Sequence, residues 1–327
     1  MSVSALARET VQTPRFRWLP VLGWLGGAVL GGVLLFAAYG KALDPGAFAE
    51  QITAEGLALL FPARAWAVAL IAVEVGLGLA LVINLRHRPV LIAATALVLL
   101  FVFLTGRTYW RAAHGIAPPS ASCGCFGNLV ERSPAQAFWQ DLLLLVPPLV
   151  LAWFARPRPK RLGVKLGATG MATGAAALFA TLSPGLPLDD LATRLKPGAR
   201  LSELCVGADE ARVCLAGAVP EIAAGRHWVV LVDPDATDFP ALVDRLNVHA
   251  LARREPPASA LADITPERQT ELFWRYAPAF DLHETPAALL RPLYRALPRS
   301  FLVEEGRVVQ TWRGLAPELD RPAPKPN

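Results

Sequence analysis

A membrane-embedded, all-α bundle of five spanning helices followed by an α/β domain is the fold class this sequence predicts, and three observations carry it. Of 327 residues, 54% are hydrophobic and only 18% charged, where soluble globular chains carry about 25% charged residues. The long apolar runs fall within residues 1–186, while residues 187–327 have the mixed texture of a globular domain. Charge divides at the same point: 15 Lys and Arg stand against 7 Asp and Glu up to residue 186, and 17 against 20 afterwards. The predicted domains are therefore 1–186 and 187–327.

Spanning a bilayer as a helix takes roughly 20 apolar residues. Five windows qualify: Leu19 to Tyr39, Ala65 to Ile83, Pro89 to Leu104, Phe138 to Phe154 and Leu162 to Leu182. Residues 1–18 lack a cleavable signal, because the stretch after Arg8, Arg15 and Arg17 is too long for a signal core and has no A-x-A site. With the N-terminus inside, ten basic residues lie on the inner side (Arg8, Arg15, Arg17, Arg86, Arg88, Arg156, Arg158, Lys160, Arg161 and Lys165) and five on the outer (Lys41, Arg64, Arg107, Arg111 and Arg132). That bias orients the chain. An odd number of crossings then puts residues 187–327 outside, in a periplasm or its equivalent across an inner membrane. The basic residues sit at helix ends and not on an aromatic-studded face, which argues against nucleic acid as a partner.

Glu74 lies mid-helix in AVEVGLGLALV, where a carboxyl must be paired, protonated or turned inward. Two readings stand side by side: an interhelical bond that pins packing, or a role in proton or quinone chemistry. Gly76, Gly78 and Ala80 beside it offer small surfaces for close helix approach. Lys41 and Asp44 in YGKALDPGAF, with Arg107 and Asp141, are expected to ring the outer mouth, where isolated charges commonly act as anchors.

All four cysteines fall in segments placed outside. Cys123 and Cys125 form SCGCFGN between the third and fourth helices. In an oxidising compartment paired cysteines are expected as disulfides, and a ring closed across the single residue Gly124 departs from relaxed disulfide geometry, which makes the bond exchangeable. Two other readings remain open: a soft-metal site for Cu(I) with His114, and structural bridges from this loop to Cys205 or Cys214. No metal site is assigned. In LSELCVGADEARVCLAG two short strands flank GADE, so Cys205 and Cys214 should face each other as a cross-strand structural disulfide.

Residues 198–320 read as a hairpin, the strand HWVVLVD, the helix FPALVDRLN, a helical middle around TPERQTELFWRYAP, and a closing hairpin PRSFLVEEGRVVQTWRG. The order β, β, α, α, β, β suggests a thioredoxin-like fold. Asp238 before Pro240 suits a helix cap. His227, His249 and His283 read as surface or strand-edge residues, and Trp274, Tyr276 and Trp312 as the core or its rim. The tail DRPAPKPN should be extended.

The segments AAYGKALDPGAFAEQI, AVEVGLGLALV, SCGCFG and FWQDLLLL give residues 20–155 a resemblance to the MauE/DoxX-like family of redox-associated membrane proteins. The resemblance implies a bundle partnered with a periplasmic thioredoxin-like protein, supporting disulfide formation or maturation of a secreted redox enzyme of the methylamine dehydrogenase kind. It points to Cys123 and Cys125 as the redox pair, to Lys41, Glu74 and Asp141 as supporting positions, and to a quinone as electron acceptor. The C-terminal domain resembles TlpA-type and MauD-type thioredoxin-like domains, with Pro298 at the family's cis-proline spacing. Where that family carries CxxC, this chain has Ala236, Thr237, Asp238 and Phe239, so the fold is expected without its exchange chemistry. The rival functions are a non-catalytic assembly factor and a copper-handling membrane protein.

Overall fold

The structure, a computed structural model, describes residues 18–58, 61–85, 88–116, 132–154, 161–207 and 212–320. Among the described residues five helices are long and apolar enough to cross a membrane: α1 (Leu19–Leu43), α3 (Ala63–Val82), α4 (Arg88–Ala113), α5 (Pro134–Phe154) and α6 (Leu162–Leu182). A sixth helix, α2 (Pro45–Ala54), follows α1 after one residue. It is too short to span, and Asp44 starts it by accepting the Ala47 N–H at 3.0 Å, with Pro45 in the first-turn position where a missing N–H is harmless.

The third and fourth windows are short for a span, and their helices α4 and α5 outrun them, as α1 outruns its own by four residues. Past Leu104, α4 continues to Ala113 with its Thr105 and Thr108 hydroxyls bonded to carbonyls four residues back. Polar residues leave a helix intact once it emerges from hydrocarbon. α5 begins at Pro134, where Ser133 and Gln136 bond each other's backbone N–H through their side chains, both at 3.2 Å, a reciprocal cap that hydropathy does not register.

Inside the bundle α1 packs on α3 and α5, α3 on α6, and α4 on α5. Lipid tails are as apolar as leucine, so helix association in a membrane rests on close contact between small residues. A Cβ added at Gly31 would lie 2.5 Å from the Gly78 carbonyl oxygen, and one added at Gly26 2.7 Å from the Pro148 carbonyl oxygen. Gly78 thus lets α3 approach α1, while Gly76 meets Thr173 of α6. Leu30, Leu34, Leu81, Val98 and Leu145 fill the space between.

After α6 the chain turns through Ser183–Gly185 into α7 (Asp189–Ala192) and a small hairpin, β1 (Cys205–Val206) with β2 (Val213–Cys214), then α8 (Leu215–Ala218). The main sheet contains β3 (Arg226–Leu231), β4 (Ala258–Ala262), β5 (Asp281–Glu284), β6 (Arg299–Glu304) and β7 (Arg307–Arg313), in the order β5-β4-β3-β6-β7. Strands β3, β4 and β5 run parallel, and β6 and β7 are antiparallel to their neighbours. Helices α9 (Phe239–Leu251) and α10 (Pro266–Tyr276) cover one face over Trp228, Val230 and Leu302. The other face, with Val229, Leu231 and Phe301, is covered by Leu195, Leu201, Ile222 and residues of α11 (Ala287–Leu290). Burial on both faces explains why β3 is continuously apolar instead of alternating.

The expected helical middle holds two further strands, β4 and β5. Ala258–Ala262 is alanine-rich and Asp281–Glu284 is short and polar, so neither carries the β-branched signature of a strand. Three smaller expectations are corrected. Asp238 stands at the N-cap of α9 but its side chain makes no capping bond. His249 is buried, with Nε2 2.9 Å from the Pro256 carbonyl oxygen. Trp274 is 80% exposed because it lies on the outer side of α10, away from Leu272; Tyr276 and Trp312 do pack at the core's rim.

Candidate functional site

Near the end of α1 a lysine points inward. The Lys41 ammonium forms an ion pair with Glu74 of α3, and the two side chains are 1% and 0% exposed. The rings of Phe48 on α2 and Phe101 on α4 lie 4.8 and 4.6 Å from the Lys41 nitrogen, close enough for a cation–π attraction strengthened by burial. Hydrocarbon compels the arrangement, since each charge alone would be costly there and together they are tolerable. Sequence reasoning placed Lys41 at the mouth and Glu74 alone in mid-helix. The structure brings them together, because a lysine stem spans the distance from the last turn of α1 down to the middle of α3.

Beside Lys41 lies a pocket between α2, α3 and α4. Ile52, Leu70, Leu100 and Leu104 give it apolar walls, and Lys41, Gln51, Glu55 and Thr108 add polar groups. Arg107 donates to the Glu55 carbonyl oxygen at 3.1 Å, and the Thr108 hydroxyl lies 3.3 Å from Oε1 of Glu55, so α4 is tied to the end of α2.

Asp141 of α5 is separate from this cluster. It is buried against Arg132 at 2.7 Å, with side-chain exposures of 2% and 8%. Arg132 is seven residues after Cys125, so this ion pair fastens the returning end of the segment that links α4 to α5. Cys123, Cys125 and Gly124 themselves lie outside the described residues. His114 is described: its ring lies tilted by 34° against Trp110 with centroids 4.4 Å apart, and its Nδ1 is 2.8 Å from the Trp110 carbonyl oxygen.

In the C-terminal domain Cys205 and Cys214 occupy opposite positions of the small hairpin and are joined by a disulfide. The Leu297–Pro298 peptide is cis, and the Pro298 carbonyl accepts the Gly314 N–H at 2.9 Å. Ala236, Thr237 and Asp238 form the turn between β3 and α9, with Phe239 opening the helix.

Arginines that the sequence did not single out hold this domain against the bundle. Arg291 donates to Glu50 of α2 at 2.7 Å and stands 3.8 Å from Asp44. Arg295 donates to the Ser183 and Leu186 carbonyls at 2.7 and 3.1 Å, and Arg313 to the Pro184 carbonyl at 2.7 Å. Arg299, fully buried, ties β6 to the linker through Thr193, Leu195 and Asp190; burial lowers its pKa from the ordinary arginine value. Burial likewise raises the Asp44 carboxyl above its ordinary value, against the opposing pull of the Ala47 N–H and the charges of Arg291 and Arg295. The signal that could have found the first pair was the isolation of Glu74, which obliges a cation from a neighbouring helix. Nothing in the local sequence around Arg291 or Arg295 marks them.

Compared with known proteins, residues 19–154 match the family model described as methylamine utilisation protein MauE. The match spans α1 to α5 and stops before α6. No curated protein and no solved structure matches the chain.

Proposed function

With its α1–α5 bundle belonging to the MauE family, we propose that this membrane protein is a thiol:disulfide exchange protein working through Cys123 and Cys125 on the periplasmic side of an inner membrane. Its clients are secreted redox enzymes of the methylamine dehydrogenase kind, or the thioredoxin-like proteins that serve them. One observation carries the reading: the two helix ends flanking SCGCFG lie at the end of the bundle that also holds α2, the Lys41–Glu74 pair and the docked C-terminal domain. The disulfide between Cys205 and Cys214 leaves neither sulfur for a structural bridge to the loop, which disfavours the reading of CGC as a staple.

The proposed exchange is conserved in atoms and electrons. A client thiolate attacks one sulfur of the Cys123–Cys125 disulfide, the other leaves as a thiolate, and a mixed disulfide joins client and loop. The client's second thiolate then attacks its own bonded sulfur, so the client departs oxidised and the loop is left as a dithiol. Reoxidation of that dithiol passes its two electrons and two protons to a membrane quinone, which becomes a quinol; a quinone is the acceptor that the family resemblance implies. The C-terminal domain, thioredoxin-like in this reading but without CxxC, contributes no exchange of its own and holds the client beside the loop. A Cys125→Ala variant tests this once Cys123 is activated as its thionitrobenzoate mixed disulfide and offered a thioredoxin-like client reduced to one cysteine: the client thiolate displaces thionitrobenzoate, and no second thiolate is left to resolve the product. The proposal expects a client mixed disulfide through Cys123 on nonreducing gels; if neither single-cysteine variant captures the client, exchange is excluded.

A further inference from the structure

Phe48, Gln51, Ile52 and Glu55 recur at the spacing of one face of α2. That face covers the cavity beside Lys41, whose opposite wall includes Phe101 and Thr108 of α4. The cavity measures about 50 Å³. At roughly 10–15 Å³ for each water molecule, it has room for about three waters and for no ring or lipid headgroup.

Water has partners there. An ammonium carries three N–H bonds, and among the described residues Glu74 is the one group that accepts from Lys41. The Phe48 and Phe101 rings attract the charge without replacing an oxygen acceptor. The Lys41 side chain is 1% exposed and lines the cavity, so its unused donors are held against that space. Gln51 and Thr108 add polar atoms, and Oε2 of Glu55, 3.3 Å from Arg107, is buried without a hydrogen-bond partner. A buried water is held by a few such groups, and leaving them unsatisfied costs free energy.

The polar groups lie to one side of the ion pair. Glu55 follows α2, the helix that Arg291 of the C-terminal domain holds, and its side chain is 26% exposed. Thr105 and Thr108 continue α4 toward that same end. In the opposite direction α1 presents Leu34 and Leu30, α3 Leu81 and α4 Val98, all buried in one apolar cluster. The pair is therefore open to protons from one end of the bundle and closed to them from the other.

We propose that the cavity holds a short file of water molecules that completes the hydrogen bonding of Lys41. Through it the Lys41–Glu74 pair exchanges protons with the aqueous phase on the side of the C-terminal domain. A proton leaving the ammonium passes to the first water as that water passes one outward, toward Glu55 and the solvent, and return follows the same route. No electron moves and Cys123 and Cys125 take no part, so this inference stands apart from the exchange reading.

The test uses the full-length protein with isotope-labelled lysine in phospholipid proteoliposomes, and solid-state NMR reads magnetisation transfer from water to each ammonium. The Lys41 signal is the one that Lys41→Arg removes. It should receive magnetisation from water as readily as that of the exposed Lys196. Leu104→Trp, which fills the cavity without touching the ion pair, should slow the transfer about tenfold or more, as when contact awaits a local opening that costs about 1.4 kcal/mol. Leu100→Phe fills it instead if the tryptophan variant loses the thermal transition of the parent. Thr108→Val should also slow the transfer, while Thr95→Val, toward the other end of α4, should leave it unchanged. Transfer to Lys41 from lipid acyl chains and not from water, folded filling variants as fast as the parent, or slowing by Thr95→Val in place of Thr108→Val would overturn the proposal.

Discussion

Lys41 ends up on Glu74 although the two belong to different helices and 33 residues separate them. Both are buried, so each is the condition for the other's charge. Breaking a buried pair from one side leaves an uncompensated charge and costs about 3–5 kcal/mol, whereas replacing both partners by apolar groups is often near neutral. Lys41→Met and Glu74→Leu should each lower the thermal transition of the detergent-solubilised protein strongly, and the double variant should recover most of the loss. Additive losses in the double variant would mean the two side chains are not coupled.

The Arg132–Asp141 pair is also buried, with side chains 8% and 2% exposed, and sits where the chain enters α5. Arg132→Ala should destabilise the bundle by about 3 kcal/mol, and Arg132→Lys, which keeps the charge but loses the forked geometry, by less. The same variants should increase the rate at which an added thiol reagent modifies Cys123 and Cys125 after reduction. Thermal melts and labelling kinetics measure the two effects separately.

Domain docking includes one more exposed contact. Glu50 is 66% exposed where it meets Arg291, and such pairs contribute only about 0.2–1 kcal/mol. Glu50→Arg should loosen the domain without unfolding it, and the exchanged pair Glu50→Arg with Arg291→Glu should restore it. Protease sensitivity of the Leu186–Leu195 linker reads the outcome, and sensitivity should rise with salt in the parent.

Asp44 gives a pH dependence with a defined sign. Burial raises its folded pKa above the ordinary 3.8, so the folded state holds the proton more tightly than the unfolded one. Its contribution is full below 3.8 and is lost as pH rises through the raised folded value. Within that window, between pH 3.8 and the raised folded value, Asp44→Asn, which keeps an N-cap acceptor, should show a flatter stability profile than the parent. Identical pH profiles would remove Asp44 as the source.

What was legible in the sequence follows from which forces act locally. The five spanning helices could be read because hydrocarbon demands continuous apolar length, and the Cys205–Cys214 hairpin because two short strands share one turn. α2 escaped because ten residues do not span. β4 and β5 escaped because Ala258–Ala262 and Asp281–Glu284 become strands through pairing with β3 and with each other, a tertiary effect that overrides propensity. Of the site, Glu74 was visible from its cost in lipid, but its partner was not, since Lys41 at a helix end resembles any interfacial anchor. Arg291 and Arg295 were invisible because their role depends on how the C-terminal strands and helices meet α2 and the end of α6.

The central claim, an exchangeable bond between Cys123 and Cys125 on the side of the membrane that holds the C-terminal domain, is tested most directly by disulfide mapping of intact cells. Cells are first blocked with a permeant thiol reagent, then reduced with a membrane-impermeant phosphine and labelled with an impermeant maleimide. The account predicts a Cys123–Cys125 bond that is reduced and labelled from outside under conditions that leave Cys205–Cys214 intact. Finding the two loop cysteines labelled only after lysis, or joined to Cys205 or Cys214 and never to each other, would contradict it.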